Sequence, residues 1–139
     1  MKLRNLLVIV VSRVVCMYAE DQEMCLQNIR QVTFPSMGFE RAGEAYFSPD
    51  GRSIIFQAVP QGEAHYQIYT MGLDALTPLR VSTGRGACTC GFYRPDGLKI
   101  LFASSHEALE EIGPERLSER YHWDLTPYMN IYEANLDGS

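Results

Sequence analysis

Short apolar runs alternate with turn-forming residues through most of the chain after residue 43. Residues 54–56 (Ile-Ile-Phe) and 100–102 (Ile-Leu-Phe) are too short for buried helices and consist mainly of β-branched and aromatic residues, so each predicts a strand. A Pro-Asp-Gly sequence precedes each run, at 49–51 and 95–97. Proline followed two positions later by glycine is typical of a type I turn that closes a hairpin. The pattern therefore predicts antiparallel hairpins, with the two apolar runs as central strands covered on both faces.

The hairpins belong to a longer internal repeat. Residues 44–58 align with 90–104 at an offset of 46 residues. Residues 67–74 align with 130–137 at an offset of 63, so the second copy has 17 extra residues between its halves. Each copy predicts strand, turn, strand, longer loop and strand, and residues 79–82 predict a fourth, outer strand in the first copy. Four short antiparallel strands in about 46 residues is the size of one β-propeller blade.

These residues resemble the TolB-like, WD-type β-propeller repeat, in which Phe-Ser-Pro-Asp-Gly precedes an apolar strand, an Ile-Tyr-x-Met strand and an Asp-Gly turn. Residues 47–51 and 68–71 match that pattern, and the resemblance extends over 29–139. Arg94 replaces the serine in the second copy, and Asp74-Ala75 replaces Asp-Gly in the first. The resemblance implies an all-β fold of β-propeller blades, each a four-stranded antiparallel sheet, in an incomplete propeller.

The pattern divides the chain into four parts. We expect a signal peptide at 1–19, an outer strand of a preceding blade with a linker at 20–43, and a first complete blade at 44–86. A second blade is expected at 87–139, with an acidic insertion at 105–124 and without its last strand. Because a propeller closes with four to eight blades, we expect a piece of a larger protein or a chain whose other blades lie on another chain. Unpaired blade edges would favour self-association.

The first 19 residues have the features of a secretory signal peptide. Lys2 and Arg4 precede an apolar run at 6–11, and Ala19 could close a cleavage site. Arg13 interrupts the apolar stretch, so an N-terminal strand is the alternative, and the stretch is too short for a transmembrane helix. The expected location is therefore periplasmic or secreted.

The cysteines leave their redox state open. They stand at positions 16, 25, 88 and 90, and removal of a leader would leave three, which cannot all pair within one chain. A bridge between Cys25 and Cys88 or Cys90 is one alternative. A zinc site is the other, but Cys-x-Cys without a second cysteine pair or a close histidine pair is a weak signal.

The insertion at 105–124 is the one region outside the repeat and carries a net charge of −4, most of the chain's −5. Loops that interrupt a scaffold are often where partners bind. The candidate partner-binding residues are His106, Glu110, Glu111, Tyr121, His122 and Trp123. A metal held by His106, Glu110, His122 and Asp124 is the alternative, but this spacing matches no defined site. We therefore expect no metal and no cofactor, and a solvated loop anchored to the blade by Trp123.

Composition and context narrow the function further. A charge of −5 without a basic cluster argues against nucleic-acid binding, and 46% hydrophobic residues predict a packed core. Aromatic residues at strand spacing are expected in that core, namely Tyr46, Phe47, Phe56, Tyr69 and Phe102. No serine has a nucleophile-elbow context, and no helix follows the glycines at 84 and 86 as a phosphate loop requires. No catalytic residue is predicted.

The family resemblance implies a non-catalytic exported scaffold that binds another protein or a cell-envelope component. The alternative is the propeller part of a larger exported hydrolase or peptidase whose catalytic domain is absent from this chain. A C-terminal hydrolase or peptidase domain in a longer form would decide for that alternative.

Overall fold

The structure is a computed structural model that describes residues 27–108 and 128–139. The chain divides into two units, residues 1–31 and 32–139, and the strands found among the described residues all belong to the second. The described residues form a short 3-10 helix (Pro35–Met37) and seven strands, which are β1 (Phe39–Phe47), β2 (Ser53–Pro60), β3 (Gln67–Gly72), β4 (Pro78–Arg80), β5 (Cys88–Tyr93), β6 (Lys99–Ser104) and β7 (Asn130–Asn135). The predicted all-β fold class is confirmed.

The first sheet is an antiparallel meander with the strand order β1-β2-β3-β4, here called sheet 1. Its first strand begins at Phe39, earlier than the blade start expected at residue 44. The reason is that Phe39 pairs with Pro60 and Gly43 with Gln57, so the C-terminal half of β2 also has a partner. The fourth strand is short and pairs with β3 over three positions, from Tyr69 opposite Arg80 to Met71 opposite Pro78.

The second sheet has the antiparallel order β5-β6-β7 and is here called sheet 2. Among the described residues β7 pairs with β6 alone, from Asn130 opposite Ser104 to Asn135 opposite Lys99. This register repeats that of β2 with β3, where Gln67 lies opposite Ala58. The two sheets are therefore built on one plan over their first three strands.

The Pro-Asp-Gly turns have the same hydrogen bonds in both copies. The Gly51 N–H donates to the Ser48 carbonyl at 2.9 Å, and the Gly97 N–H donates to the Arg94 carbonyl at 2.9 Å. Both glycines have positive φ, 71° and 70°, which an L side chain rarely adopts. The aspartate of each turn accepts the N–H of the residue two positions later. Arginine in place of serine at position 94 therefore leaves the turn intact.

The turn after β3 lacks the usual glycine and is one residue longer than the turn after β7. Ala75 stands where glycine is usual, and Leu76 takes the positive φ, 51°, while its N–H donates to the Gly72 carbonyl at 3.0 Å. After β7, Gly138 has a φ of 88° and closes the shorter turn with a 2.9 Å bond to the Asn135 carbonyl. Leu76 is partly buried against the cluster that contains Phe56 and Met71, and β3 still pairs with both β2 and β4.

Apolar side chains cover both faces of sheet 1. One cluster lies between the sheets and consists of Ile55, Ile68, Val81, Cys88, Ile100 and Phe102. A second cluster on the opposite face of sheet 1 consists of Phe39, Ile54, Phe56, Ala58, Tyr69 and Met71, with Val32 and Met37 packed against it. The prediction that residues 54–56 form a central strand covered on both faces is confirmed.

Three predicted core positions are exposed instead. Leu101 in β6 is 39% exposed because it faces away from sheet 1, and no described element covers that side of sheet 2. Tyr46 and Phe47 are 36% and 69% exposed because β1 is an edge strand that pairs with β2 alone. The core prediction was therefore wrong for these residues, whereas Phe56, Tyr69 and Phe102 are buried as predicted.

Candidate functional site

Most of the predicted partner-binding residues lie outside the described part of the chain. His106 is described, whereas Glu110, Glu111, Tyr121, His122 and Trp123 are not. The same holds for Asp124 of the alternative metal site, for Cys25 and for the predicted signal peptide. The structure therefore shows where the acidic insertion leaves sheet 2, at residues 104–108.

His106 is attached to the end of β6. The Ser104 hydroxyl accepts the backbone N–H of His106 at 3.2 Å and lies 2.8 Å from Nδ1 of the imidazole. The Cys88 thiol lies 3.2 Å from the same hydroxyl, on the neighbouring strand β5. Ser104 and Cys88 are fully buried. The last residue of β6 therefore fixes both the backbone and the ring of His106 at the start of the insertion.

Tyr132 of β7 holds the same segment from the other side. Its ring lies 4.4 Å from the His106 ring between centroids, and its hydroxyl donates to Oε2 of Glu107 at 2.9 Å. Desolvation, together with the nearby Glu107 carboxylate, raises the pKa of Tyr132, so the phenol remains a donor at neutral pH. We call these five residues, Cys88, Ser104, His106, Glu107 and Tyr132, the insertion base.

The insertion base contains a Ser–His contact, which is the geometry of an activated nucleophile. Ser104 has no solvent-exposed surface, so no substrate can approach its hydroxyl without opening the sheet. Burial also raises the pKa of the Cys88 thiol, which keeps it protonated and unreactive. The arrangement is suited to positioning the insertion and not to catalysis by these two residues.

Repeat-equivalent residues of β1 and β5, the first strands of the two sheets, contact each other, a feature that the sequence reasoning missed. Tyr46 of β1 and Phe92 of β5 stack with ring centroids 4.1 Å apart. Two residues earlier in each strand, the Cys90 thiol lies 3.7 Å from Oε1 of Glu44. The offset of 46 residues relates both pairs. That offset was a signal by which the contacts could have been predicted, because consecutive blades place equivalent positions side by side.

Strands β1 and β5 also share an irregularity at these positions. Glu44 and Cys90 have positive φ values of 49° and 54°, and the register of each strand with its neighbour shifts there. Bulges of this kind redirect side chains at the edge of a sheet. Among the described residues, Oε2 of Glu44 is the one buried side-chain oxygen or nitrogen without a hydrogen-bond partner.

A polar link crosses from sheet 1 to sheet 2 just beside the bulge. The Gln57 amide oxygen accepts the Thr89 hydroxyl at 2.5 Å and the Cys90 N–H at 3.3 Å. Gln57 and Thr89 are buried, so these bonds are shielded from water. The contact fixes the position of β5 against β2.

A groove of about 530 Å³ opens between the sheets at the Pro-Asp-Gly turns. It is lined by Asp50 and Asp96 of the two turns and by Tyr93, whose hydroxyl donates to the Ile54 carbonyl at 3.3 Å. Burial raises the pKa of Tyr93 to about 12, and the Ser48 hydroxyl lowers the pKa of Asp50. Asp96 is ion-paired with Arg94 at 2.8 Å. The polar groups of Tyr93, Asp50 and Asp96 in this groove are therefore already bound within the chain.

Within residues 27–108 and 128–139, no three His, Cys, Asp or Glu side chains come together as a metal site would require. No helix within these same residues is both long enough and apolar enough to cross a membrane.

No family model matches this chain. The chain is similar to a solved structure described as "putative TolB from Agrobacterium tumefaciens", with 25% sequence identity and a TM-score of 0.49. The match covers 71% of this chain and 29% of that protein. The chain thus spans less than a third of the length of the protein that it matches.

Proposed function

We propose that this chain is part of an exported, TolB-like β-propeller that binds another protein or a cell-envelope component and catalyses no reaction. The observation that carries the proposal is the stacking of Tyr46 on Phe92, which hold the same position in successive repeats. Sheets that pack through equivalent positions can be continued by further sheets of the same kind, as propeller blades are. The repeat motif supports the TolB-like assignment independently.

The acidic insertion at 105–124 is the proposed partner-binding loop. The insertion base supports this role because Ser104 and Tyr132 hold His106 and Glu107 where the loop leaves the sheet. The net charge of −4 favours a basic partner surface. The proposed contact residues are His106, Glu110, Glu111, Tyr121, His122 and Trp123.

Site-specific photo-crosslinking in the exporting cell tests this role. A photoreactive amino acid at Trp123 should give a discrete crosslinked protein, identifiable by mass spectrometry. The same amino acid at Leu79, which is 52% exposed on β4, is the matched control and should not give that product. Reversal of two charges, Glu110→Lys with Glu111→Lys, should abolish the product. Identical products from both positions, or none from Trp123, would contradict the proposal.

Export is tested separately by the mass of the mature chain. A C-terminally tagged chain should be recovered from the exported fraction with Glu20 as its first residue, because cleavage after Ala19 is proposed. Replacing both Lys2 and Arg4 with glutamate should retain the chain inside the cell. Recovery of the wild-type chain with Met1 from the cytoplasmic fraction would refute the proposed export.

A further inference from the structure

The groove at the Pro-Asp-Gly turns has one wall from each sheet. Leu79 of β4 lines the wall of sheet 1, and Leu136 in the turn after β7 lines the wall of sheet 2. The two Pro-Asp-Gly turns lie against each other, since a Cβ at Gly97 would be 3.8 Å from Pro49 Cγ. Tyr93 also lines the groove and packs against the cluster between the sheets, so the groove is bounded on that side by the core.

Both walls present apolar surface to solvent. Leu79 and Leu136 are exposed large hydrophobic residues. The backbone fixes each of them, because Leu79 lies opposite Thr70 in the β3–β4 pair, and the Gly138 N–H closes the turn of Leu136 with a 2.9 Å bond to the Asn135 carbonyl. A ligand could therefore cover an apolar surface that is already formed.

The lining also carries negative charge. Asp50 and Asp96 are among the residues that line the groove, and no Lys, Arg or His is. Both oxygens of Asp96 are in use, since Oδ1 accepts the Leu98 N–H at 3.0 Å and Oδ2 pairs with Arg94 at 2.8 Å. An incoming cation would therefore meet Asp50 as the carboxylate with capacity to spare.

Asp50 uses one of its two oxygens within the chain. The Ser48 hydroxyl donates to Oδ1 at 2.6 Å, and the Arg52 N–H donates to the same atom at 3.1 Å. These two bonds, with a smaller contribution from the charge of Arg52, lower the pKa of Asp50, so the carboxylate is an anion at neutral pH. Both bonds reach Oδ1, so Oδ2 is the oxygen that a further donor would use.

An arginine side chain matches both features of the groove. Its methylene groups can lie against leucine side chains while the guanidinium donates to a carboxylate. The guanidinium is also more weakly hydrated than an ammonium group, which favours arginine over lysine at interfaces. The groove volume of about 530 Å³ lies within the range of about 300–1,000 Å³ for sites that enclose a ligand, so an apolar neighbour of the arginine can enter with it.

We propose that this groove binds a segment of a partner protein through an arginine, whose guanidinium donates to Oδ2 of Asp50 while its stem and an adjacent apolar residue cover Leu79 and Leu136. The inference rests on the proposed role as a protein-binding scaffold, but it uses a surface other than the acidic insertion. The groove lies at the turn before β6, whereas the insertion follows the last residue of β6. A strand of six residues separates the two surfaces by about 20 Å.

The probe is a fluorescein-labelled peptide, Gly-Leu-Arg-Leu-Gly, which has an apolar residue on each side of the arginine. Fluorescence anisotropy with the full chain should show saturable binding. Replacing the arginine of the peptide with glutamine should weaken binding about fivefold, which is the contribution of a well-formed exposed ion pair.

Asp50→Asn tests the carboxylate. Asparagine keeps an oxygen for the turn and is tolerated there, but it removes the charge. The variant should weaken binding of the arginine peptide about fivefold and leave binding of the glutamine peptide unchanged. Asp74→Asn is the matched control, because Asp74 is an exposed carboxylate in the turn after β3 that does not line the groove. It should bind both peptides as the wild type does.

Leu136→Ser tests the apolar wall. It should weaken binding of both peptides at least fivefold, because both lose the apolar surface that covers the leucine. Leu98→Ser is the matched control, since Leu98 is an exposed leucine that does not line the groove, and its affinity should be that of the wild type. Circular dichroism establishes that the variants fold. If Leu136→Ser does not fold, Asp50→Asn decides.

Three outcomes would overturn the inference: no saturable binding, equal binding of the arginine and glutamine peptides, or equal loss of affinity in Asp50→Asn and Asp74→Asn. The crosslinking experiment at Trp123 tests the insertion separately. Leu79 lies in the groove, so a protein captured there should differ in mass from the Trp123 product. Peptide binding without a Trp123 product would remove the loop proposal alone, and a Trp123 product without peptide binding would remove the groove inference alone.

Discussion

Tyr46 and Phe92, which hold the same position in successive repeats, stack with their ring centroids 4.1 Å apart and their planes inclined by 29°. Both rings are partly exposed, so apolar burial contributes less here than in the cluster between the sheets. The stacking geometry itself should therefore make a measurable contribution to how the sheets pack.

A double-mutant cycle measures that contribution. We expect Tyr46→Leu and Phe92→Leu to be non-additive, with a coupling free energy of unfolding of about 0.5–1.5 kcal/mol, the range for aromatic pairs. Urea denaturation of the wild type, both single variants and the double variant gives the value. Phe47→Leu replaces Tyr46→Leu in a control cycle, since it is Tyr46 that stacks on Phe92 and Phe47 is 69% exposed. Equal coupling free energies in the two cycles would mean that the stacking of Tyr46 on Phe92 does not contribute to the free energy of unfolding.

Phe56 should be among the most costly residues to truncate. It is 2% exposed in β2, and its ring lies 5.8 Å from Tyr69 and 5.9 Å from Phe39 between centroids. We expect Phe56→Ala to lower the free energy of unfolding by about 3–5 kcal/mol because it leaves a cavity. Phe47→Ala is the control and should change stability by about 0.5 kcal/mol or less. A loss below about 1 kcal/mol for Phe56→Ala would contradict the packing described for this strand.

Gly91 should be required for the close approach of the two sheets. A Cβ at this position would lie 3.0 Å from Ile55 Cδ1 and 3.0 Å from Ile68 Cγ2. We expect Gly91→Ala to destabilise the fold by about 1–3 kcal/mol, since the neighbouring side chains must shift in a packed core. Gly43→Ala in β1 is the matched control, because a Cβ there would have no neighbour within 4 Å. Equal thermal stability of the two variants would show that the sheets are less tightly packed than the distances indicate.

Local sequence signals accounted for the turns and the buried strands, and they failed where an outcome depended on neighbours distant in the chain. The hydrogen bonds of the turn at Gly51 lie within a few residues, so Pro-Asp-Gly was sufficient to predict it. The apolar pattern placed Phe56 correctly but could not show that β1 is an edge strand, and Phe47 is therefore exposed. The contact of Tyr132 with Glu107 joins residues 25 apart and follows from how β7 returns to β6.

Glu133 should give the fold a component of stability that depends on acid pH. A hydrogen bond from Lys99 at 2.5 Å, with the charge of Arg94 at 3.1 Å, holds the pKa of Glu133 below its ordinary value. A carboxyl whose folded pKa is depressed stabilises the fold fully above its unfolded pKa, about 4.3, and loses that contribution as the pH falls through the folded value. We expect Glu133→Gln to lack this component, so its urea midpoint should fall less steeply than that of the wild type as the pH drops below about 5. Salt at about 1 M should reduce the difference between the urea midpoints of the wild type and Glu133→Gln. The Glu133 carboxylate is exposed, and the Debye length is then about 3 Å. Parallel loss of stability in both proteins across the acid range would show that the ion pairs of Glu133 do not stabilise the β6–β7 hairpin.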